Sequence, residues 1–379
     1  MFKPSVPKLS QYDPFLMFVS MILILWGTVM IYSTSAVYAE LRFHNSYHFL
    51  QNHIIHIFIG CLGMIVALLV PISFWKKNLP WLMLLVLLML IMVLIPGIGH
   101  EVKGGRRWIR LMGLGIQPSE LLKITLIFYV ASYLERKQEV LSLFLRGLTP
   151  NFLVTGVFLL LVLLQPDFGT VMLLSLTVLF MIYAGGARKS HILGSLFGVS
   201  LLGGILIATH SYRVKRLLAF LNPWEDPLDS GFQIIQSFIA LGTGGWFGRG
   251  LGESRQKLFF LPDAHTDFIF AILGEEFGFL GGCLLILLFI VYIWRGYFIA
   301  WKTREFFPKF LAFGATTLIA LQTMFNLGVV TGLLPTKGLP LPFVSFGGTS
   351  LLSTMFITGL LLNVSAMLHS DSKPAANKT

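Results

Sequence analysis

Residues 267–293 read DFIFAILGEEFGFLGGCLLILLFIVYI. Three carboxylates, Asp267, Glu275 and Glu276, stand near its start, and no residue from Phe277 to Ile293 carries a charge. A helix needs roughly 20 apolar residues to cross the hydrocarbon of a bilayer. This stretch is long enough, and its charges gather at one end. It reads as a membrane-spanning helix that begins where water gives way to lipid. Working outward with the same window gives ten spans in all, at about 14–35, 49–70, 80–96, 118–134, 150–164, 170–184, 191–210, 267–293, 310–333 and 345–368.

Composition agrees. The chain has 379 residues, of which 55% are apolar and 12% charged, and its mean hydropathy is +0.79. Soluble domains carry about 25% charged residues. Half that share excludes an ordinary soluble enzyme, a disordered chain and a nucleic-acid-binding domain. The expected fold is an all-α polytopic membrane protein of about ten transmembrane helices, with a large extracytoplasmic loop, 211–266, between helices 7 and 8. Cys61 and Cys283 both lie in apolar runs, so they imply neither a disulfide framework nor a thiolate metal site.

Ten spans put both termini on one side. Placing them inside gives fifteen basic residues in about 70 inner positions against twelve in about 106 outer ones. The expectation is therefore a single transmembrane domain over 14–368 between cytoplasmic tails, 1–13 and 369–379. Its outer loops would be 36–48, 97–117, 165–169, 211–266 and 334–344. The outer basic residues concentrate in 97–117 and 211–266. Long loops translocate largely regardless of charge, so mere tolerance and a basic surface for an anionic ligand are equally good readings. The stretch 232–240 is apolar enough to lie in the membrane interface.

Several charges sit at the outer boundary. Glu120 and Lys123, three residues apart, share a helix face. Ionisable residues at membrane depth are rare, and they are either functional or paired inside the bundle. Asp167, in the Gln165–Gly169 turn, could join them. Asp263 suits a helix cap. Asp267 precedes an apolar run; there a carboxylate is partly desolvated and becomes a better proton acceptor. Gly274, Gly278 and Gly282, spaced by four, form a face for close packing. Pro335–Gly348 holds three prolines, a lone Lys337 at its tip, and Ser345 opening the last helix. No phosphate-binding GxxxxGK[ST] loop, GxGxxG motif or HExxH occurs, so a nucleotide-driven pump and a nucleotide-sugar enzyme are disfavoured. His44, His48, His53 and His56 make a weak metal candidate.

Five ordered motifs carry a resemblance. They are Gly104–Ile109, Gln117–Lys123, Gln165–Gly169, Lys257–Phe270 and Pro335–Gly348. Together they resemble the SEDS family (shape, elongation, division and sporulation) of bacterial cell-wall polymerases, over about residues 10–368. Pro335–Gly338, Ala264–Asp267 and Tyr32–Ala36 look more like the division member than the elongation member.

The resemblance implies a ten-helix glycosyltransferase of the bacterial cytoplasmic membrane, polymerising lipid II, with a septal role. It maps the essential carboxylate onto Asp267, a cavity polar pair onto Glu120 and Lys123, and cavity-facing basic positions onto Arg106, Arg107 and Lys337. Lys257 is a further candidate for diphosphate contact, and Asp167, His265 and Ser345 are supporting candidates. Implied partners are lipid II, a class B penicillin-binding protein that supplies transpeptidation, other division proteins and membrane lipid, with no nucleic acid. A divalent cation, Mg or Mn, could share the diphosphate, although no dedicated site is evident and no other cofactor is implied. The rival class is a lipid II transporter, which would favour charges at the midplane and inverted repeats; a non-catalytic scaffold is a third.

Overall fold

The computed structural model describes residues 11–102, 104–111, 114–208, 211–229 and 231–370. The ten expected spans are ten helices: α1 (Pro14–Phe43), α2 (His48–Leu69), α3 (Leu79–Leu94), α4 (Pro118–Lys137), α5 (Thr149–Leu163), α6 (Phe168–Ala184), α7 (Lys189–Ala208), α8 (Ile269–Lys302), α9 (Phe306–Val330) and α10 (Gly348–Ser370). Local chemistry sets several starts. Asp13 accepts from Leu16 N at 2.9 Å and Pro14 opens α1. Asp167 does the same for α6, accepting from the Thr170 amide at 3.3 Å and its hydroxyl at 2.9 Å. Both satisfy backbone donors that a helix leaves open.

The bundle is a polytopic membrane protein with an inner and an outer set of helices. Most of α4, α9 and α10 is buried, whereas α1, α2, α3, α7 and α8 each turn a row of large apolar side chains outward, such as Phe15, Phe58, Trp81, Phe197 and Leu287. In water such a rim would be an aggregation surface; in a bilayer it faces hydrocarbon. α2 lies along α10, α8 along α9, and α4 along α9.

Three features depart from the all-α, long-loop expectation. First, 97–117 is no simple loop. It carries a three-stranded antiparallel sheet, β1 (Gly99–Val102), β2 (Gly105–Leu111) and β3 (Leu114–Ile116), in the order β1-β2-β3, with a register shift at His100/Glu101. Second, α1 runs to Phe43 and ends on a left-handed His44, so the expected loop 36–48 shrinks to a short corner. Third, 211–266 holds two helices, Ser211–Leu221 and Phe232–Gly244. The second is the apolar stretch read as interfacial. It buries Ile234, Ile235 and Ala240, and Ser237 Oγ donates to Val330 O at 2.7 Å.

The glycine face of α8 does pack closely: Gly274 lies against Leu241 of the helix Phe232–Gly244, and Gly278 against the loop that follows it. Gly278 sits at φ +68°, which breaks the helix. The segment 245–250 fills the break: Phe279 N donates to Gly245 O, Leu280 N to Trp246 O, and Arg249 N to Glu275 O. A Cβ on Gly278 would stand 2.3 Å from Gly248 N, so only glycine fits there. Sheet, interrupted helix and long segment all lie toward one end of the bundle, the end that carries Asp267.

Candidate active site

Two loops meet at this end. One is the turn 257–268 that leads into α8; the other is 331–347, between α9 and α10. Asp263 does not cap α8, which starts only at Ile269. It adopts φ +57°, a conformation aspartate tolerates, and its carbonyl accepts from Thr266 N at 3.0 Å and Phe268 N at 3.3 Å. The turn places Asp267 just outside the helix. Ser345 does not open α10 either. Its hydroxyl donates to Thr266 O at 2.5 Å and accepts from Leu341 N at 2.8 Å, while Phe346 N donates to His265 O at 2.9 Å. The His265 ring packs among Tyr38, Phe49 and Phe346. His265 and Ser345 are therefore staples between the loops. The outcome is that a Cβ built on Gly338 would stand 3.0 Å from Asp267 Oδ2. The carboxylate lies against the backbone of the residue next to Lys337.

Loop 331–347 gets close because α1 lets it in. A Cβ on Gly27 would stand 2.5 Å from Phe343 O, so any other residue there would push the loop off.

Lys337 is half-buried. Its Nζ lies 2.9 Å from Met172 Sδ and 4.7 Å from the centre of the Phe168 ring on α6. Among the described residues no carboxylate oxygen is within ion-pair distance of it. Burial without a counter-charge pulls its pKa down to about 8. The ring face helps hold the cation; among the described residues no carboxylate pairs with it. The sign for a bound anion follows. Below pH 8 the group is an ammonium and attracts; as pH rises through about 8 it becomes an amine and the attraction fades. The affinity for an anionic ligand should fall across that window. Lys337→Ala should weaken it about tenfold or more at pH 7, the size of one charge-assisted hydrogen bond, and should flatten the pH dependence. Equilibrium binding measured from pH 6.5 to 9.5 checks both.

The two arginines part company, because neighbours on a strand face opposite ways. Arg107 reaches to the α5–α6 turn. Its Nε donates to Gln165 O at 3.0 Å and its Nη2 to Pro166 O at 2.6 Å, with Nη1 3.8 Å from Asp167 Oδ1. It docks the sheet onto the turn. Arg106 is exposed and 3.5 Å from Glu101 Oε2, so it remains available to a ligand. Asp167 is engaged by Arg107 and Thr170, and the Glu120–Lys123 pair, which it could have joined, has other partners.

That pair is buried, not cavity-lining. Glu120 is 4% and Lys123 1% exposed, and Lys123 Nζ is 2.7 Å from Glu120 Oε1. Ser353 of α10 donates to Glu120 Oε2 at 2.7 Å, and Lys123 donates to Gln322 Oε1 of α9 at 3.1 Å. The charges knit α4, α9 and α10 together.

Lys257 is likewise misplaced as a diphosphate contact. Its ammonium donates to Glu276 Oε1 at 2.9 Å, Ser33 Oγ at 3.1 Å and Gly252 O at 2.7 Å, so all three hydrogens are used in a buried site. Beside it Glu275 accepts from Ser254 Oγ and from the amides of Arg255 and Gln256. The two glutamates clamp the loop 249–257 to α8. Of the histidines, His53 is buried beside Phe346, His48 stacks on Phe43, and His56 Nδ1 is 2.6 Å from Asn52 O. Among the described residues no three His, Cys, Asp or Glu side chains converge on one point.

The chain as a whole has known counterparts. The sequence pattern of the cell cycle protein family FtsW/RodA/SpoVE matches residues 14–370. The chain belongs to the FtsW/RodA/SpoVE family. Among its relatives, a probable peptidoglycan glycosyltransferase FtsW of Geobacter sp. (strain M18) is 45% identical over 364 residues, covering 96% of this chain and 99% of that one. Stage V sporulation protein E of Bacillus subtilis (strain 168) is 43% identical, covering 94% of this chain and 98% of that one. Of FtsW/RodA/SpoVE folds already solved, one from a peptidoglycan synthase complex that coordinates polymerization and crosslinking superposes with a TM-score of 0.78 at 27% identity, covering 95% and 99% of the two chains. The rod shape determining protein RodA of Thermus thermophilus gives 0.69 at 26% identity, covering 93% and 96%.

Proposed function

We propose that this chain, a peptidoglycan glycosyltransferase of the FtsW/RodA/SpoVE family, polymerises lipid II at the outer face of the bacterial cytoplasmic membrane with Asp267 as general base. The observation that carries this is Asp267 packed against Gly338, with Lys337 next to it and free of any carboxylate among the described residues. An acceptor sugar would present its 4-hydroxyl to Asp267. The carboxylate takes the proton as the oxygen attacks the anomeric carbon of the growing chain, and the bond from that carbon to the diphosphate oxygen breaks. An α-linked diphosphate becomes a β-1,4 glycoside, so the configuration inverts. Lys337 stabilises the charge that develops on the leaving diphosphate, and exposed Arg106 is the second cation in reach of the surface. A positioned base is worth about 10²–10⁴-fold.

Mg is usually held by one or two carboxylates together with substrate phosphates. Among the described residues no three His, Cys, Asp or Glu side chains converge to hold Mg or Mn, and no step above runs through one. The basic-residue balance supports cytoplasmic termini and, with them, an outer Asp267 end. A class B penicillin-binding protein and other division proteins are the partners this reading expects, at the septum.

The rival is a lipid II transporter. Against it, the interior charges Glu120 and Lys123 neutralise each other and are sealed from solvent. The test uses purified protein with its class B partner and labelled lipid II in vesicles. Long glycan strands support the polymerase. Lipid II crossing the membrane with no glycan formed would favour transport.

A further inference from the structure

We propose that Asn326, with Gln322 one turn below it on α9, is a positioning residue that sets the spacing of Asp267 and Lys337. This rests on the reading of Asp267 as the base. Residues 322 and 326 are four apart and so share one helix face. Each is 2% exposed. The Asn326 carboxamide has two hydrogens, and Nδ2 donates one to Asp267 O and the other to Leu339 O, both at 2.8 Å. The first carbonyl belongs to the proposed base itself; the second lies two residues after Lys337. A single nitrogen thus bridges the two loops. Gln322 repeats the device on the same loop. Its Nε2 donates to Pro340 O at 2.8 Å, and its Oε1 is held by Lys123 Nζ at 3.1 Å.

The physical need is plain. Irregular backbone at this depth carries carbonyls that no helix or sheet ladder satisfies, and such segments persist in membrane proteins only where protein partners take them up. Three such requirements, the carbonyls of Asp267, Leu339 and Pro340, fall to two amides on one rigid helix. The ion pair Glu120–Lys123 orients the lower amide, so it acts on the site through Gln322 and not by touching substrate. Reaching through backbone oxygens, Asn326 fixes where the Asp267 carboxylate stands without using either side chain itself. A shift of about 1 Å in such a geometry can cost about 10²-fold in rate.

The test replaces Asn326 by leucine, which is of similar size and donates nothing, and by serine, which keeps one donor. Two quantities are read on full-length protein with its class B partner: kcat and KM for lipid II, and hydrogen exchange of the segments 264–268 and 337–346. The expected result for Asn326→Leu is a kcat lower by 10- to 100-fold with KM within about twofold, and faster exchange in both segments together; Asn326→Ser should fall between. If the leucine variant does not fold, the serine variant carries both readings. A folded variant with unchanged kcat, or one in which only a single segment loosens, overturns the bridge. Exchange does not depend on turnover, so it still decides the bridge if wild-type protein makes no glycan, an outcome that would count against the functional reading instead.

Discussion

Asp267→Asn is expected to lower polymerisation by about 10²–10⁴-fold, the value of a positioned general base, and to leave folding untouched. The structural reason for the second half is specific. The backbone carbonyl of this residue accepts from Asn326 Nδ2, and asparagine keeps that. The side chain changes from a proton acceptor to a neutral amide of nearly the same shape, so packing against Gly338 survives. Thermal melting in detergent and co-purification with the class B partner should match wild type. Asp267→Glu keeps the acid but moves it by one methylene toward Gly338; it should retain some activity and still fall well below wild type. A purified Asp267→Asn protein with wild-type turnover would remove the residue from the chemistry.

The largest effect on stability is expected at Lys123. Its ammonium is sealed between α4, α9 and α10, and alanine would leave the Glu120 carboxylate buried without a counter-charge. Breaking one side of a buried pair costs about 3–5 kcal/mol, a large part of the 5–15 kcal/mol that holds a typical domain folded. Lys123→Ala should therefore lose folded yield and melting temperature steeply. The double variant Glu120→Gln, Lys123→Met removes both charges and should recover much of the loss, because a neutral pair leaves no ion uncompensated. Folded yield and melting temperature of the two variants settle it: a Lys123→Ala protein as stable as wild type would mean that the pair is not structural.

How far the sequence reveals this depends on the distance over which each signal acts. The ten spans are legible because an apolar run of sufficient length is a local property, read without knowing any neighbour. Asp267 stands out as a candidate for the same reason: a carboxylate at the head of an apolar run is marked by the residues beside it. The sheet in 99–116 is hidden because its strands are short, interrupted by glycines and rich in arginine. Lys257 is misread because its partner Glu276 lies nineteen residues on and Ser33 on another helix; nothing local distinguishes a paired lysine from a free one. The Arg106–Arg107 doublet conceals opposite roles, which only strand alternation separates. Gln322 and Asn326 are masked by the apolar span 310–333 around them, although two amides one turn apart at membrane depth are a usable sign, since polar groups there are costly and usually have work to do.

The most direct test of the assignment is a structure of the Asp267→Asn protein with lipid II bound. The expected result places an acceptor 4-hydroxyl within about 2.6–3.2 Å of the side chain at position 267, with the donor's diphosphate beside Lys337 Nζ. Lipid II seated with its sugars remote from residue 267 and its diphosphate on a different cation would contradict it.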